Sequence, residues 1–220
     1  MTRSAEILQF GEAAAKRKRR AAAAAETVSQ DAMQRQLVAE IERLSRELED
    51  SRLIMREMEA RAETDPLCDV LNRRGFEREI ARALKHVERY GGTIGLAMID
   101  LDDFKPINDI HGHAAGDAVL RMVAATLISA VRASDRVARF GGDEFAIILW
   151  NIDKTHASAK AWALEAAIAA SSVEVEGETL SITASCGVAI AGAGESASHV
   201  IALADAAMYA RKLERRALKR

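Results

Sequence analysis

The stretch Gly141-Gly142-Asp143-Glu144-Phe145 lies between two short apolar runs, Val137 to Phe140 and Phe145 to Leu149, and its reading decides the fold. Both runs have strand composition. The glycine pair between them is expected to let the backbone take positive φ in a tight hairpin turn. Two adjacent carboxylates ride on that turn, and their concentrated negative charge must be offset by a cation or by solvent. A glycine-glycine-aspartate turn is also a common surface feature, so the assignment needs a second observation.

That observation lies upstream. Ile94 to Ile99 is apolar and partly β-branched, and it ends abruptly in Asp100-Leu101-Asp102-Asp103-Phe104-Lys105. Pro106-Ile107-Asn108-Asp109 and Gly112-His113-Ala114-Ala115-Gly116-Asp117 follow. A buried strand that delivers acids at its C-terminal end is one way folds present metal ligands to phosphates. Mg2+ prefers a few carboxylates plus waters and phosphate oxygens, so Asp100 and Asp143 with one backbone carbonyl are sufficient protein ligands. His111 and His113 stand two apart without softer ligands beside them, which favours a structural role over a metal pair.

Periodicity beyond Asp65-Pro66 predicts a helix over 73–90, a strand over 94–100 and a helix over 115–131. Strands over 136–140 and 145–150, a helix over 156–171, a strand over 179–190 and a helix over 198–214 complete the order. Without its first helix this is strand-helix-strand-strand-helix-strand, a ferredoxin-like alternation of α+β class with an added final helix.

Three spaced motifs now point to a family. Asp65-Pro66-Leu67 with Leu71-Asn72-Arg73-Arg74-Gly75-Phe76, the block from Asp100 to Asp117, and Gly141 to Phe145 together resemble the GGDEF domain of bacterial diguanylate cyclases, over roughly residues 63–216. The resemblance implies a nucleotide-cyclase or polymerase-palm fold and the condensation of two GTP into cyclic di-GMP with release of two pyrophosphates. The alternative is a non-catalytic GGDEF domain that binds cyclic di-GMP or GTP and signals through its helix. Such receptors usually carry a broken signature, whereas Asp100, Lys105, Asn108, Asp117, Asp143 and Glu144 are all present.

By the same resemblance, Asp100, the Leu101 carbonyl and Asp143 are metal ligands for Mg2+ or Mn2+. Asp143 would also accept the 3′-hydroxyl proton or orient a metal-activated hydroxyl. Glu144 has three open roles: second metal ligand, solvent-mediated substrate contact, or structural turn carboxylate. Lys105 neutralises phosphate charge, with the Asp103–Phe104–Lys105 turn offering backbone N–H groups to substrate. Asn108 and Asp117 match the guanine readers, an amide and a carboxylate complementary to guanine O6 and to its N1–H and N2–H2 donors. Lys212 and Arg216 match a phosphate-binding pair one helical turn apart. The chain departs from the family there: Arg211, Arg215 and Ala217 stand where alanine, glycine and asparagine are usual, so the guanidinium that meets phosphate stays open. Arg132-Ala133-Ser134-Asp135 matches the family's inhibitory site, where product would bind apart from the catalytic centre.

One GTP per domain cannot give a two-GTP product, so the activity requires a homodimer. Leu37, Ile41, Leu44, Leu48, Ser51, Met55, Met58 and Ala62 alternate spacings of four and three, the seam of a coiled coil. We therefore divide the chain into a helical coiled-coil stalk, residues 1–62, and a catalytic domain, residues 63–220. The stalk would raise the local concentration of the partner domain and receive a signal, with an unidentified signalling protein as one source. The basic block Lys16 to Arg20 reads as a solvated charge run, with an acidic partner or an anionic lipid surface as the alternative.

Lys and Arg number 31 against 33 Asp and Glu, so no global field favours nucleic acid. With 4% aromatic residues the chain lacks stacking platforms for a nucleic-acid polymer. No apolar run reaches the roughly 18 residues of a membrane span, and the start lacks a secretory core. Cys68 and Cys186 are isolated, as in a reducing compartment. Together these place the chain in the cytoplasm.

Overall fold

The computed structural model describes residues 40–41, 43–52, 55, 58 and 63–218. The chain divides into two units, residues 1–58 and 59–220. In the first, the described residues are helical. Their seam positions Ile41, Leu44, Leu48, Met55 and Met58 are all at least half exposed. Arg43 bridges Glu40 and Glu47 on the same helix, at 2.6 and 2.7 Å. The expected seam positions Leu37 and Ala62 and the basic block 16–20 lie outside the described residues.

The second unit is built on a five-stranded sheet of order β1-β3-β4-β2-β7. Its strands are β1 (Leu71–Asn72), β2 (Ile94–Asp102), β3 (Arg136–Arg139), β4 (Glu144–Trp150) and β7 (Thr183–Ala191). Only β1 pairs parallel, against β3; the other neighbours are antiparallel. The helices are α1 (Arg73–Tyr90), α2 (Phe104–Ala130), α3 (Lys154–Ala170) and α4 (Ala197–Leu218). A separate hairpin joins β5 (Ser172–Val175) to β6 (Glu178–Ser181). The order β3-β4-β2-β7 is the ferredoxin-like arrangement expected from the alternation, extended by β1.

Strand periodicity sorts the core into two layers. Ala97, Ile99 and Leu101 of β2 join Phe145, Ile147 and Leu149 of β4 under α2 and α3. Leu96 and Met98 join Ala146 and Ile148 on the opposite face, under α1 and α4. Asp100, Asp102 and Glu144 share the parity of that second set, so the acids emerge on the α4 side. Gly187 lets α4 lie directly on β7: a Cβ there would be 1.9 Å from the Met208 nitrogen.

Three expectations are corrected. Gly141 and Gly142 do not adopt positive φ; among the described residues the glycines that do are Gly91, Gly92, Gly112, Gly177 and Gly194. Gly141 lets the Glu144 carboxylate lie close, because a Cβ there would stand 2.6 Å from Glu144 Oε2 and displace it. Helix α2 starts at Phe104 rather than 115, since Asp103 in the left-handed region (φ 57°) turns the chain straight out of β2. Pro106 is tolerated in the first helical turn, where backbone N–H groups lack partners anyway. Gly112 (φ 79°, ψ 167°) then breaks the helix. The strand expected over 179–190 is two strands, β6 and β7, with β5 paired to the first. Glu176 and Gly177, at φ 52° and 84°, make the two-residue turn between β5 and β6.

Candidate active site

Strand pairing sets two carboxylates face to face. Asp100, at the C-terminal end of β2, is the register partner of Glu144, the first residue of β4. Like charges directly opposite destabilise a sheet unless something offsets them. The Lys212 ammonium, delivered by α4, is paired with Asp100 Oδ1. Glu144 answers by holding its proton more tightly: burial raises its pKa first, then the negative charges of Asp100, Asp143 and Asp205, while Lys212 opposes the rise.

Asp143 is held by its backbone. Its carbonyl accepts the Leu101 N–H at 3.1 Å, which fastens the signature turn to the end of β2. Arg139 braces the same turn, donating to the Gly142 carbonyl at 3.1 and 2.7 Å. Its other guanidinium nitrogen lies 3.3 Å from Asp65 Oδ2. Asp65 in turn accepts the N–H groups of Leu67 and Cys68, at 3.1 and 2.9 Å. The Asp65-Pro66-Leu67 motif is thereby tied to the acidic turn through one arginine.

Among the described residues no group of three or more His, Cys, Asp or Glu side chains is gathered closely enough to hold a metal ion without further ligands. Asp100 and Glu144, with Asp143 one residue before Glu144, form an open acidic edge of the sheet. Such an edge suits a hard divalent cation that completes its shell with water and phosphate oxygens. A lysine ammonium already lies against it, so the local field favours positive charge.

Beyond β2 the break at Gly112 folds α2 back on itself. Asn108 then lies over Gly116, where a Cβ would fall 1.9 Å from Asn108 Oδ1 and 3.2 Å from Phe104 Cζ. Phe104 and Asn108 are thereby brought to the residue preceding Asp117, and Asn108 and Asp117 are both half-buried. The missing side chain of Gly116 makes that approach sterically allowed. Lys105 and Asp103 are exposed at the first turn of α2, where unpaired helical N–H groups favour an anion. His111 is not paired with His113: its Nδ1 lies 3.2 Å from Glu178 Oε2 on β6.

The departures on α4 form a network that sequence reading missed. Arg211 donates to both oxygens of Glu165, at 3.1 and 2.9 Å. Arg215 lies 3.2 Å from Glu165 Oε2 and 3.2 Å from Asp102 Oδ2. Asp102 also accepts from Thr183 and Ser185 at 2.9 and 2.8 Å. Arg215 is therefore committed to buried carboxylates, while Arg216 is exposed. No motif marks Glu165; only the unusual arginines opposite could have signalled a buried acid.

Arg132 and Asp135 stand apart from this edge. Asp135 is buried, accepting the Arg132 N–H at 3.0 Å through Oδ2 and the Trp150 N–H at 3.1 Å through Oδ1. The Arg132 side chain is exposed, and it lines two clefts of about 420 and 500 Å3. Cys68 and Cys186 are unpaired and buried. Burial pushes their thiols up to about 11 and about 12. At pH 8 both remain protonated, so a charged disulfide reagent should label neither in native protein and both after guanidinium unfolding. Fast labelling of either native thiol would contradict this packing.

Comparison with known proteins agrees with the geometry. The family "Diguanylate cyclase, GGDEF domain" matches residues 62–217. Diguanylate cyclase DgcP of Pseudomonas aeruginosa is 39% identical over 152 residues, 69% of this chain and 23% of that protein. The coiled coil and GGDEF domain of DgcB from Caulobacter crescentus, solved in complex with c-di-GMP, aligns with TM-score 0.71. It is 32% identical, over 81% of this chain and 95% of that one. Diguanylate cyclase SiaD of Pseudomonas aeruginosa, solved with its activator SiaC, aligns with TM-score 0.67 and 30% identity. That alignment covers 96% of this chain and 84% of SiaD's. The chain spans about a quarter or less of the length of the first curated relatives it matches, 23%, 15% and 21%. With matching motifs, strand order and family description, the chain belongs to the diguanylate cyclase GGDEF domain family.

Proposed function

We propose that the protein is a diguanylate cyclase, condensing two GTP into cyclic di-GMP and two pyrophosphates across a homodimer. The observation that carries this reading is the Asp100–Glu144 pair across β2 and β4, with the Asp143 turn fastened to Leu101 and a lysine ammonium at the same edge.

Asp100, the Leu101 carbonyl, Asp143 and Glu144 would hold Mg2+ or Mn2+, which when bound supplies charge stabilisation to phosphate oxygens and leaving pyrophosphate. Asp143 accepts the proton of the attacking 3′-hydroxyl or orients that hydroxyl. Phe104 and the N–H groups at the start of α2 face the phosphates with Lys105, which neutralises charge growing on the nonbridging oxygens. Asn108 and Asp117 read the guanine edge. Lys212 turns from Asp100 to the outer phosphates as substrate charge arrives, and Arg216 is the guanidinium open to join it. Each chain contributes one GTP, and the exposed heptad residues of the stalk pair two chains. The nucleotide substrate places the protein in the cytoplasm; among the described residues no helix is long and apolar enough to cross a membrane. By likeness to SiaD, a protein activator is the input we expect.

Incubating pure protein with GTP and Mg2+ tests the reading: pyrophosphate and cyclic di-GMP should appear together, in a ratio of two to one. Nucleotide binding without turnover would favour a receptor instead. Arg132 and Asp135 form the product site in this account. Asp135 already carries two backbone hydrogen bonds, so Arg132 is the cleaner probe. Arg132→Ala should raise the cyclic di-GMP concentration giving half-inhibition by at least about tenfold, the scale of one lost charge-assisted contact. Unchanged inhibition would remove the product site from this loop.

A further inference from the structure

We infer that Glu165 positions the phosphate-facing Lys212, by clamping α4 around the edge of the sheet; the inference rests on the cyclase reading. Strand β7 is the last strand of the sheet, with β2 on one side only. Glu165 projects from α3, in the layer on one face, and is 5% exposed. Its Oε1 accepts the Cys186 N–H at 2.9 Å, capping an outward-facing backbone group of that edge strand. The carboxylate is thus anchored to the sheet before any arginine is considered.

Arg211 and Arg215 come to it from α4, in the layer on the other face. They are one helical turn apart, so both guanidinium groups point the same way. Arg211 meets Glu165 with two parallel nitrogens, a geometry that fixes orientation as well as distance. The Arg211 guanidinium also lies 3.9 Å from the centre of the Trp162 ring, which restrains it from the solvent side. Arg215 extends the contact to Asp102, two residues beyond Asp100 on the same face of β2.

Lys212 stands between these arginines in sequence. With Arg211 and Arg215 held, the rotation of α4 about its axis is set, and the Lys212 ammonium falls on Asp100. Removing the Glu165 charge would leave two guanidinium groups seeking carboxylates. Arg211 would turn to Glu214 Oε2 on its own helix, 3.4 Å away, whereas Arg215 would keep Asp102 Oδ2, two residues from Asp100, so Arg215 would compete with Lys212 at the catalytic edge.

The test compares Glu165→Gln, Arg211→Met and their double variant in the full chain. Binding of 3′-deoxy-GTP with Mg2+ is measured by calorimetry, since this analogue cannot condense. Thermal midpoints and GTP kinetics are measured beside it. Positioning predicts that each single variant weakens analogue binding by about tenfold or more, as a displacement near an ångström can. It also predicts a raised KM with a smaller change in kcat, and a double variant no worse than the poorer single. A lowered midpoint with binding and KM unchanged would reduce Glu165 to a structural acid and overturn the inference. Should Glu165→Gln fail to fold, Arg211→Met decides alone, because Arg215 still pairs with Glu165 there. Analogue binding by the unsubstituted protein without turnover would sink the cyclase reading only; no binding at all would sink both.

Discussion

Asp100→Asn is expected to lower cyclic di-GMP formation by about a hundredfold to a thousandfold, the usual cost of losing one preorganised charge at a reacting phosphate. Asp100 is the residue on which the others converge. It lies near the end of β2, faces Glu144 across the pair, and carries Lys212 on Oδ1. Asparagine keeps the volume and one oxygen but removes the charge that a divalent cation would use. The fold should tolerate it, because two opposing terms change together. Repulsion between Asp100 and Glu144 disappears, and the Lys212 pair is lost with it. The Lys212 and Asp100 side chains are mostly buried, 19% and 13% exposed, but the lost attraction and the relieved repulsion oppose each other, so the thermal midpoint should move by only a few degrees. Pyrophosphate release at saturating GTP and Mg2+ reads the activity, and a calorimetric scan reads the fold. Activity within tenfold of the unsubstituted protein would remove Asp100 from the chemistry.

What could be seen in the sequence, and what could not, divides along the reach of the interaction. Strands β2, β3 and β4 and helices α1 and α3 are local patterns of apolar residues between turn residues, and residue types suffice to find them. The acids that end β2 and ride the turn before β4 are likewise written in short, contiguous motifs. Two-residue β1 has no periodicity to detect; it exists because Thr64 and Ala138 offer it partners on either side. The early start of α2 was hidden because Pro106 and Gly112 read as loop residues. Their conflict with a helix is absorbed by the free first turn and by a break. The β5–β6 turn was missed because Glu176-Gly177 is not the asparagine-glycine or aspartate-glycine pair that usually marks it.

The site divides in the same way. Asp100, Lys105, Asn108, Asp117, Asp143 and Glu144 stand in recognisable strings. Glu165 and Arg139 act across the fold, the first on arginines of α4 and the second between Asp65 and the Gly142 carbonyl. Neither distance is encoded by spacing along the chain. Only the arginines at 211 and 215, unusual for the family, hinted that a buried acid lay opposite.

The second large effect concerns the stalk. Replacing both Leu44 and Leu48 with Glu should abolish dimer formation and lower GTP turnover by about a hundredfold or more at dilute protein, recovering as protein concentration rises. Both leucines are about half exposed in the single chain, 50% and 52%, although they are spaced as seam residues. Apolar side chains that a helix does not bury on itself are available to a second helix, and each buried leucine contributes about 2 kcal/mol. A parallel pair would bury the exposed half of four leucines at these two positions, so the double substitution removes on the order of 4 kcal/mol before repulsion among the new glutamates is counted. The chemistry turns that loss into a rate. On the proposed cyclase reading two GTP half-sites must meet, and a tether that pairs the chains would give them an effective concentration near millimolar, far above any dilute assay. Sedimentation across protein concentration reads the dimer, and initial rates over the same range read the pairing of half-sites. A variant that stays monomeric yet keeps full specific activity at dilute concentration would show that the catalytic domains find each other without the stalk. That outcome would overturn the coiled-coil dimer while leaving the acidic edge of the sheet in place.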